Sequence, residues 1–503
     1  MTDALLNQAI ACLRSGQLLE AEQLASQVLS KRRTNDTALA LLSQIANARR
    51  QFDDAAAYIQ RAIRSNAKRP EFHALLGEIR TTQGRFTDAL AAFDRALKRN
   101  PKYTPAIAAK ADAYLRMGEG ERAVATLTPH LGGPGESPQV AVVMARALLR
   151  VGEPDRAAAI VEPHLDRSDQ PLETQRAVWF VHGEACEKSG RHAEALASWT
   201  HGNARSISDF DVDRNETDHR ALTKAFSATW LKSVPTMTHG DGRPIFIVGM
   251  LRSGSTLTEQ IIDQHDRATG GGELEYLPAI VGELLGTASG ALNLDRAIAT
   301  LDSARMDRAA QTYLEAISHV APKADRIVDK QLANYLWTPL IAALFPDAAI
   351  IHCRRHPMDM CLSCFGQKLP PGTNPWAASL PSLGSFHRHY TTYMDHCHEL
   401  LGDRLLEVRY ESLVTGLEST VDRIMGHCGL ETQPGCLRFW ESKRTVLTLS
   451  QDQVRQPLYD TASGRHRAWG EVLDPLRVAI GKDVIEAYEA DTSSTSSPDL
   501  PVS

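Results

Sequence analysis

A marker that recurs every 34 residues constrains the fold of the first two hundred residues more strongly than any other feature of the chain. An alanine stands five positions after each copy, and the flanking segments have the apolar periodicity of helices. Only the last step differs: it is 38 residues long, which predicts a longer loop near residues 166–175. A turn between two helices that pack closely at a small residue predicts a stack of helical pairs. The six copies of the marker fall at Gly16, Arg50, Gly84, Gly118, Gly152 and Gly190.

The period, the glycines and the alanines resemble those of tetratricopeptide repeats. The resemblance covers about residues 1–205 and implies an all-α solenoid with a concave groove. Such a groove would hold a peptide or protein partner. The alternative is a scaffold that only orders or dimerises the domain that follows. Arg50 departs from the glycine pattern of the other five copies.

Composition and charge exclude several classes for this chain of 503 residues. A net charge of −6 argues against a general nucleic-acid binder. Eight cysteines at irregular spacing fit a reducing compartment better than a disulfide framework. We see no signal peptide and no apolar run near the roughly 18–20 residues of a membrane span. These features predict a cytoplasmic protein, and they leave a homo-oligomer open.

The remaining chain divides into three expected parts. Residues 206–240 are expected to form a helical linker, because residues 218–232 combine helix-forming residues with one apolar side. Residues 241–490 are expected to form an α/β domain with a mainly parallel sheet. The final stretch, 491–503, is rich in serine and proline and is expected to be a disordered tail.

The stretch 244–262 organises the second half of the chain. Its apolar start predicts a buried strand, Gly249 breaks that strand, and an apolar-periodic run from Leu257 predicts a helix. A glycine-containing turn between a strand and a helix aims backbone amides at one point, where the helix N-terminus adds partial positive charge. We therefore expect a phosphate site. Its residues are Arg252, Ser253, Gly254, Ser255, Thr256 and Leu257.

The kind of phosphate chemistry depends on the cation of this loop. The spacing Gly249-x4-Gly254-x-Thr256 mimics the nucleotide-triphosphatase P-loop, but Ser255 stands where that loop carries its lysine. The sequence from Arg252 onward, RSGSTL, resembles the 5′-phosphosulfate loop of sulfotransferases that use 3′-phosphoadenosine 5′-phosphosulfate (PAPS). A P-loop kinase or triphosphatase, and a non-catalytic repeat adaptor whose second domain only binds nucleotide, are the alternative functions.

The sulfotransferase resemblance covers about residues 244–470 through several motifs in the same order, and it is strongest to tyrosylprotein sulfotransferases. It implies PAPS as the donor, a hydroxyl acceptor and no metal. Transfer to a hydroxyl needs a base for the acceptor's proton. The resemblance gives that role to Glu273, after a glycine run, with Glu275 as the competitor and helix capping as the structural alternative. The repeats and the order of the motifs favour a protein or peptide hydroxyl, such as that of tyrosine, as the acceptor. Tyr276 stands where the tyrosylprotein enzymes have an arginine, so carbohydrate, lipid and small-molecule hydroxyls stay open.

Further motifs supply the expected contacts to the nucleotide. Lys330 follows a predicted strand, where it would meet the bridging oxygen on which leaving-group charge builds up. Arg355 and Ser363 form an R-x7-S element that resembles the 3′-phosphate site of sulfotransferases, which a triphosphatase would not need. The resemblance also implies that Tyr410 lines the nucleotide pocket, although core packing explains it equally well.

A C-terminal segment resembles the family's S-x-x-Q-V and G-R-x-x-x-W elements, which close over the cofactor. By this resemblance Ser450 polarises the transferring group and Arg465 binds the 3′-phosphate. A surface loop with solvated arginines is the alternative. The pair Cys361-x2-Cys364 is consistent with zinc, but it lies inside an apolar helical run without a second pair, so we expect no metal.

Overall fold

The computed structural model describes residues 2–132, 137–206, 209–235, 241–286, 294–441 and 463–494. The chain divides into two compact units, Met1–Arg205 and Ser206–Ser503, which we call the repeat unit and the sheet unit. Within the described residues, no helix is both long and apolar enough to cross a membrane.

The repeat unit consists of six helical pairs in its described residues. Short 3₁₀ turns, Thr128–His130 and Glu162–His164, extend the second helix of the fourth and fifth pairs. The predicted all-α solenoid is therefore confirmed. The helices are α1 (Thr2–Arg14), α2 (Leu18–Lys31), α3 (Asp36–Ala48), α4 (Phe52–Ser65), α5 (Pro70–Thr82), α6 (Phe86–Arg99), α7 (Thr104–Arg116), α8 (Gly120–Leu127), α9 (Pro138–Arg150), α10 (Pro154–Val161), α11 (Leu172–Lys188) and α12 (His192–Ala204).

The six repeat markers end the first helix of each pair in a left-handed backbone conformation. The five glycines have φ between 71° and 82°, which a residue without Cβ adopts freely. Arg50 has φ 62° and adopts the same conformation at a cost of about 1–2 kcal/mol. The six alanines that follow the markers have no exposed surface, which allows close helix packing. They are Ala21, Ala55, Ala89, Ala123, Ala157 and Ala195.

The prediction that the extra residues of the last step form a longer loop is wrong. Residues 165–171 connect the 3₁₀ turn to α11, and residues 172–175, which the prediction included, already belong to that helix. The four extra residues lie in α11, which has 17 residues where α9 has 13. Four residues make about one helical turn, so the insertion lengthens the helix and keeps its buried face in register.

The sheet unit contains five parallel strands in the order β2-β3-β1-β4-β5, which confirms the predicted α/β domain with a parallel sheet. Strand β1 is buried at all six positions, as expected for an apolar strand covered on both faces. The strands are β1 (Pro244–Gly249), β2 (Ala268–Gly270), β3 (Arg326–Asp329), β4 (Ala349–Arg354) and β5 (Leu405–Arg409).

Helices cover this sheet, and further helices precede β1 and follow β5 in the chain. The first two occupy the stretch that was expected to be a helical linker, and the last continues to Ser494, past the expected start of the tail at 491. Residues 495–503 lie outside the described residues. The helices are α13 (Val212–Ala225), α14 (Ala228–Ser233), α15 (Ser255–Asp263), α16 (Tyr276–Leu285), α17 (Leu294–Ala299), α18 (Ser303–Val320), α19 (Thr338–Leu344), α20 (Pro357–Phe365), α21 (Leu380–Leu401), α22 (Tyr410–Thr415), α23 (Leu417–His427), α24 (Asp474–Ile480) and α25 (Lys482–Ser494).

The order of the strands places a crevice at the carboxyl edge of the sheet. The chain leaves β1 toward β2 and β3 on one side and then crosses to β4 and β5 on the other. In open α/β sheets, ligands bind outside the carboxyl ends of the strands where the chain reverses its direction across the sheet. Here that point lies between β1 and β4, where Gly249 pairs with Cys353.

Candidate functional site

The carboxyl ends of the five strands carry most of the residues that the sequence singles out. Residues 250–254 follow β1, Glu273 follows β2 closely, Lys330 follows β3, Arg355 follows β4 and Tyr410 follows β5. Parallel strands end at one edge, so residues that are up to 160 positions apart in the chain share that edge of the sheet.

The loop after β1 requires glycine at both ends. Gly249 has φ 148°, and a Cβ there would lie 2.7 Å from the backbone oxygen of Cys353. Gly254 has φ 93°, and a Cβ there would lie 2.9 Å from the Tyr410 ring. Between them Arg252 has φ 68°, a left-handed conformation that is strained for a residue with a side chain. The loop is thus held in one tight turn before α15.

The hydroxyl groups of this loop are buried and suit an anion. Ser253, Ser255 and Thr256 are each less than 9% exposed, and the last two open α15, where backbone amides have no partner within the helix. The Ser253 Oγ has no hydrogen-bond partner among the described residues. An unsatisfied buried hydroxyl costs roughly 1–3 kcal/mol, which a phosphate oxygen would relieve. The residues present therefore fit a phosphate group.

One predicted loop residue has a different position. The side chain of Leu257 packs into the hydrophobic core with Ile245 and Ile261, so its predicted contact with a ligand can come only from its backbone amide. Its place in the loop motif reflects the buried face of α15, since an apolar side chain at the third helical position faces the sheet.

Arg252 joins the loop to the R-x7-S element. Its Nε donates a hydrogen bond to Ser363 Oγ at 2.8 Å, and Arg355 Nη1 donates to the Arg252 backbone oxygen at 3.3 Å. Cys364 Sγ also lies 3.4 Å from the Leu251 backbone oxygen. The two predicted phosphate-binding elements, more than one hundred residues apart in sequence, are therefore in direct contact.

Tyr410 packs between the loop after β1 and Arg355, which follows β4. The Arg355 guanidinium lies 4.8 Å from the centre of the Tyr410 ring, within the range of a cation–π contact. The same ring covers Gly254 and packs against the hydrophobic core. Tyr410 therefore lies at the site and also supports Arg355 and the loop through its packing contacts.

The predicted base lies against the predicted lysine. Lys330 Nζ donates to Glu273 Oε1 at 2.6 Å, and the Lys330 side chain is only 1% exposed whereas that of Glu273 is 50% exposed. Glu275 instead accepts a hydrogen bond from Gln331 Nε2 at 3.1 Å and occupies the N-cap position of α16, without a side-chain capping bond. The structure therefore brings Glu273, and not Glu275, to the lysine.

Asp329 is a site residue that the sequence analysis did not assign. Its carboxylate is buried and accepts hydrogen bonds from Tyr313 Oη at 2.8 Å and from the Gln331 amide at 3.0 Å. Burial raises the pKa of Asp329 to about 7, and the bonds from Tyr313 and the backbone oppose the rise. The carboxylate fixes the turn that carries Lys330. The sequence feature that could have identified Asp329 is its position directly before Lys330, at the end of a predicted strand.

Asp359, in the first turn of α20, was also missed. It is fully buried, and its Oδ2 accepts from the Gly464 amide at 2.6 Å. Its Oδ1 accepts from the His466 amide at 2.7 Å and from His466 Nδ1 at 2.8 Å. These bonds hold Arg465, the predicted 3′-phosphate ligand, at α20. The other predicted residue of the C-terminal segment, Ser450, lies outside the described residues.

Two groups in the described part of the chain have residue types that can bind metals. Neither contains Cys361 or Cys364, and burial raises the pKa of both thiols. In the first group, both ring nitrogens of His352 already bond within the protein, to His398 and to Tyr390 Oη. The groups are His352, His398 and Glu407, and His356, Asp359 and His466.

Family models match both units. Residues 244–434 match the sulfotransferase family. Residues 41–104, 81–131 and 142–199 match tetratricopeptide repeat models. The sulfotransferase match covers the five strands and the residues at their carboxyl ends up to Tyr410, and it ends before the segment with Ser450 and Arg465.

The chain also resembles two curated proteins. It is 28% identical over 316 residues to an uncharacterized protein of Aquifex aeolicus, a match that covers 61% of this chain and 41% of that protein. It is 24% identical over 188 residues to a protein-tyrosine sulfotransferase candidate of Caenorhabditis briggsae, with 37% and 65% covered. The chain thus spans less than two thirds of the length of either relative.

The chain also resembles solved structures in part. The sulfotransferase domain of the Synechococcus PCC 7002 olefin synthase superimposes with a TM-score of 0.37 and 20% identity, covering 54% of this chain and all of that domain. A thermophilic TPR protein of Thermus thermophilus superimposes with a TM-score of 0.32 and 19% identity, covering 39% of this chain and all of that protein.

Proposed function

We propose that the sulfotransferase-family domain of this chain transfers a sulfuryl group from PAPS to a hydroxyl acceptor. The observation that carries the proposal is the contact between two phosphate-binding elements, made by Arg252 with Ser363 and with Arg355. PAPS has an anionic group at its 5′ position and a phosphate at its 3′ position, so it needs two such elements side by side. A triphosphatase needs one, and its loop needs the lysine that Ser255 replaces.

The loop and the R-x7-S element divide the nucleotide between them. The loop amides with Ser253, Ser255 and Thr256 hold the 5′-phosphate, and Arg252 neutralises the transferring group. Arg355, Ser363 and Arg465 hold the 3′-phosphate, Tyr410 supports the pocket, and Ser450 polarises the transferring group. Arginine and lysine supply the positive charge that the reaction needs, so the proposal includes no metal.

Glu273 and Lys330 perform the proton and charge steps. The acceptor oxygen forms a bond to sulfur while the bond from sulfur to the bridging oxygen breaks, and the leaving phosphate keeps that electron pair. Glu273 removes the acceptor's proton, and the exposed half of its side chain makes it accessible to an acceptor. Lys330 donates to the bridging oxygen as charge builds up there. The 2.6 Å ion pair between them holds the Glu273 carboxylate in place before the acceptor binds.

A protein or peptide is the proposed acceptor, held by the concave face of the repeat unit. A cavity of about 390 Å³ lies between the first helices of successive repeats. Phe72 and Leu75 give it apolar walls, and Glu78 gives it a carboxylate whose pKa is raised by burial. The relative named for tyrosine sulfotransfer supports a tyrosine hydroxyl as one such acceptor.

Calorimetric titration with adenosine 3′,5′-bisphosphate (PAP), without Mg²⁺, tests the proposal. We expect tight binding by the wild type and a loss of roughly tenfold or more in Arg355→Ala, because a charge-assisted contact to the 3′-phosphate is removed. Arg308→Ala is the matched control, since Arg308 is an exposed arginine on α18.

Two results would contradict the proposal. Binding of ATP with Mg²⁺ and none of PAP would favour the kinase or triphosphatase. Tight PAP binding without any sulfuryl transfer, unaffected by Glu273→Ala and Lys330→Ala, would favour the adaptor with an inactive nucleotide-binding domain.

A further inference from the structure

Asp359 occupies a position where an acidic residue usually serves its own helix. It is the third residue of α20, and a carboxylate there commonly bonds back to the N-cap amide. In this helix the N-cap is His356, and its amide donates to Glu411 Oε1 at 3.0 Å instead. Glu411 therefore provides the cap, and Asp359 is not needed for it.

Both oxygens of Asp359 bind a segment that lies 105 to 107 positions later in the chain. The Gly464 and His466 amides, which flank Arg465 on either side, donate to Oδ2 and Oδ1 respectively. His466 Nδ1 adds a third bond at 2.8 Å. A fully buried carboxylate with three donors is a strong and specific anchor, because any donor that leaves exposes an unpaired charge to the protein interior.

The ring of His466 reinforces the anchor. It stacks on the His356 ring with 4.3 Å between their centres and an angle of 12° between their planes. His356 Nε2 in turn contacts Glu489 Oε1 at 3.2 Å, so α25 also supports the stack. Segment 464–466 is thus fixed by backbone and side chain at the first turn of α20.

Two arginines adjoin the residues of this anchor in the chain. Arg355 directly precedes His356, the N-cap residue of α20. Burial alone would raise the pKa of Asp359, but the hydrogen bonds and charge of His466 lower it and the charge of Arg355 adds to that effect. Arg465 is held by the amides on both of its sides. Two guanidinium groups brought to one phosphate repel each other before the phosphate binds, and a nearby carboxylate offsets part of that repulsion. Ser363 lies one helical turn further along the same helix.

We propose that Asp359 is a positioning residue for the 3′-phosphate site: through Gly464 and His466 it holds Arg465 beside Arg355 and Ser363. This inference rests on the proposed function, because it presupposes that these three residues bind the 3′-phosphate. Asp359 itself does not contact the nucleotide. Its effect is therefore specific to the 3′-phosphate and leaves binding of the 5′ half unchanged.

Comparing PAP with adenosine 5′-monophosphate (AMP) isolates that effect. The two ligands differ only in the 3′-phosphate. The dissociation constant of AMP divided by that of PAP therefore measures how much this phosphate contributes to binding. Calorimetry on the full chain is expected to give a ratio that falls roughly tenfold or more in Asp359→Asn, with the AMP constant unchanged. Arg465→Ala should lower the ratio equally. The double variant should be no worse than Arg465→Ala, because both changes remove the same contact.

Two further variants distinguish a loss of 3′-phosphate binding from a folding defect. His466→Ala leaves both amide bonds to Asp359 and should lower the ratio by a smaller factor. Asp395→Asn is the matched control: this acid is a half-exposed partner of Arg354 on α21 and should keep the wild-type ratio. Thermal unfolding of each variant identifies those that fold.

The outcomes separate this inference from the proposed function. A wild type that binds PAP no better than AMP would overturn the 3′-phosphate site itself. A wild type that prefers PAP, with the same preference in every folded variant of Asp359 and His466, would overturn the positioning role and leave the proposed function intact. An equal loss of AMP and PAP affinity would likewise assign Asp359 to general stability.

Discussion

The repeat unit and the sheet unit use special backbone positions in different ways. In the repeat unit six markers adopt one left-handed conformation, and each closes an equivalent helical pair. In the sheet unit each of five strand ends presents a different side chain to one edge, and the loop between Gly249 and Gly254 has no second copy among the described residues. A substitution that destabilises one repeat affects mainly that repeat and its neighbours, because each repeat contacts only the next. A substitution at the carboxyl edge of the sheet instead changes a side chain that no other strand end duplicates.

Charged side chains of the two units range from half exposed to fully buried, and Arg176 of the repeat unit is 1% exposed. The Arg85–Asp88 pair of the repeat unit has both side chains about half exposed, and such pairs contribute roughly 0–1 kcal/mol. The sheet unit buries Lys330 and Asp359 almost completely. A buried charge that loses its partner is strongly destabilising, so these residues tolerate little change.

The largest expected effect is a loss of activity when the predicted base at the carboxyl edge of the sheet is replaced. Glu273→Gln should lower kcat by roughly 10²- to 10⁴-fold, because a glutamine cannot take the acceptor's proton. Initial rates of PAP release from PAPS measure it. Glu275→Gln is the control and should stay near wild type, since Glu275 contacts Gln331 rather than Lys330. Equal losses in both variants would contradict the assignment of the base.

A pH experiment tests a partly buried carboxylate of the sheet unit, Glu407. Burial would raise the pKa of Glu407, but ion pairs with Arg354 and Arg409 outweigh it and lower the pKa from 4.5 to about 2. The stabilisation is present above pH 4.5 and is lost as the pH falls to about 2. Urea unfolding should show wild type losing about 3 kcal/mol more than Glu407→Gln over that range. Parallel curves for the two proteins would refute the prediction, and Asp395→Asn should follow the wild type.

Packing within the repeat unit gives a smaller effect. A Cβ at Gly77 would lie 2.4 Å from the buried Phe93 ring, so Gly77→Ala should destabilise the protein by about 1–3 kcal/mol. Gly426→Ala is the matched control, because a Cβ there meets nothing within 4 Å and alanine favours a helix by about 0.5–1 kcal/mol. Chemical unfolding that shows two equal shifts would mean that the helix contact is not tight. PAP affinity should be unchanged in Gly77→Ala.

The smallest effect concerns the one marker that is not glycine. Arg50→Gly should stabilise the repeat unit by about 1 kcal/mol, because it removes the strain of φ 62°. Gly118→Ala should destabilise it by a similar amount through backbone conformation alone, since a Cβ at Gly118 meets nothing within 4 Å. Thermal unfolding of the two variants measures the pair. Shifts in the same direction would show that the markers are not equivalent.

The sequence predicted the repeat unit well because its information is local. Period, turn conformation and buried alanines all lie within a single repeat, so a count of positions recovers them. Counting positions did not predict where the four extra residues of the last repeat lie. A step of 38 is equally consistent with a longer loop and a longer helix, and only the structure shows that α11 gained a turn.

The sheet unit was predictable in its motifs and less so in their connections. Loop, lysine and R-x7-S element each have a short local pattern, and the parallel sheet brings them together. The support of these groups is not local: Asp359 bonds to a segment more than one hundred residues away, and Asp329 bonds to Tyr313 on α18. A single buried acid in an apolar run indicates that it has partners but does not say where they are.

A double-label experiment tests the central claim most directly. The full chain would be given sulfur-labelled PAPS and γ-phosphate-labelled ATP with Mg²⁺ together, in the presence of tyrosine-containing peptides and other hydroxyl acceptors. We predict that labelled sulfur enters an acceptor and PAP is released, that the transfer continues without Mg²⁺, and that Glu273→Gln slows it by roughly 10²- to 10⁴-fold. Labelled phosphate in an acceptor, with PAPS left intact, would contradict sulfuryl transfer and identify a kinase.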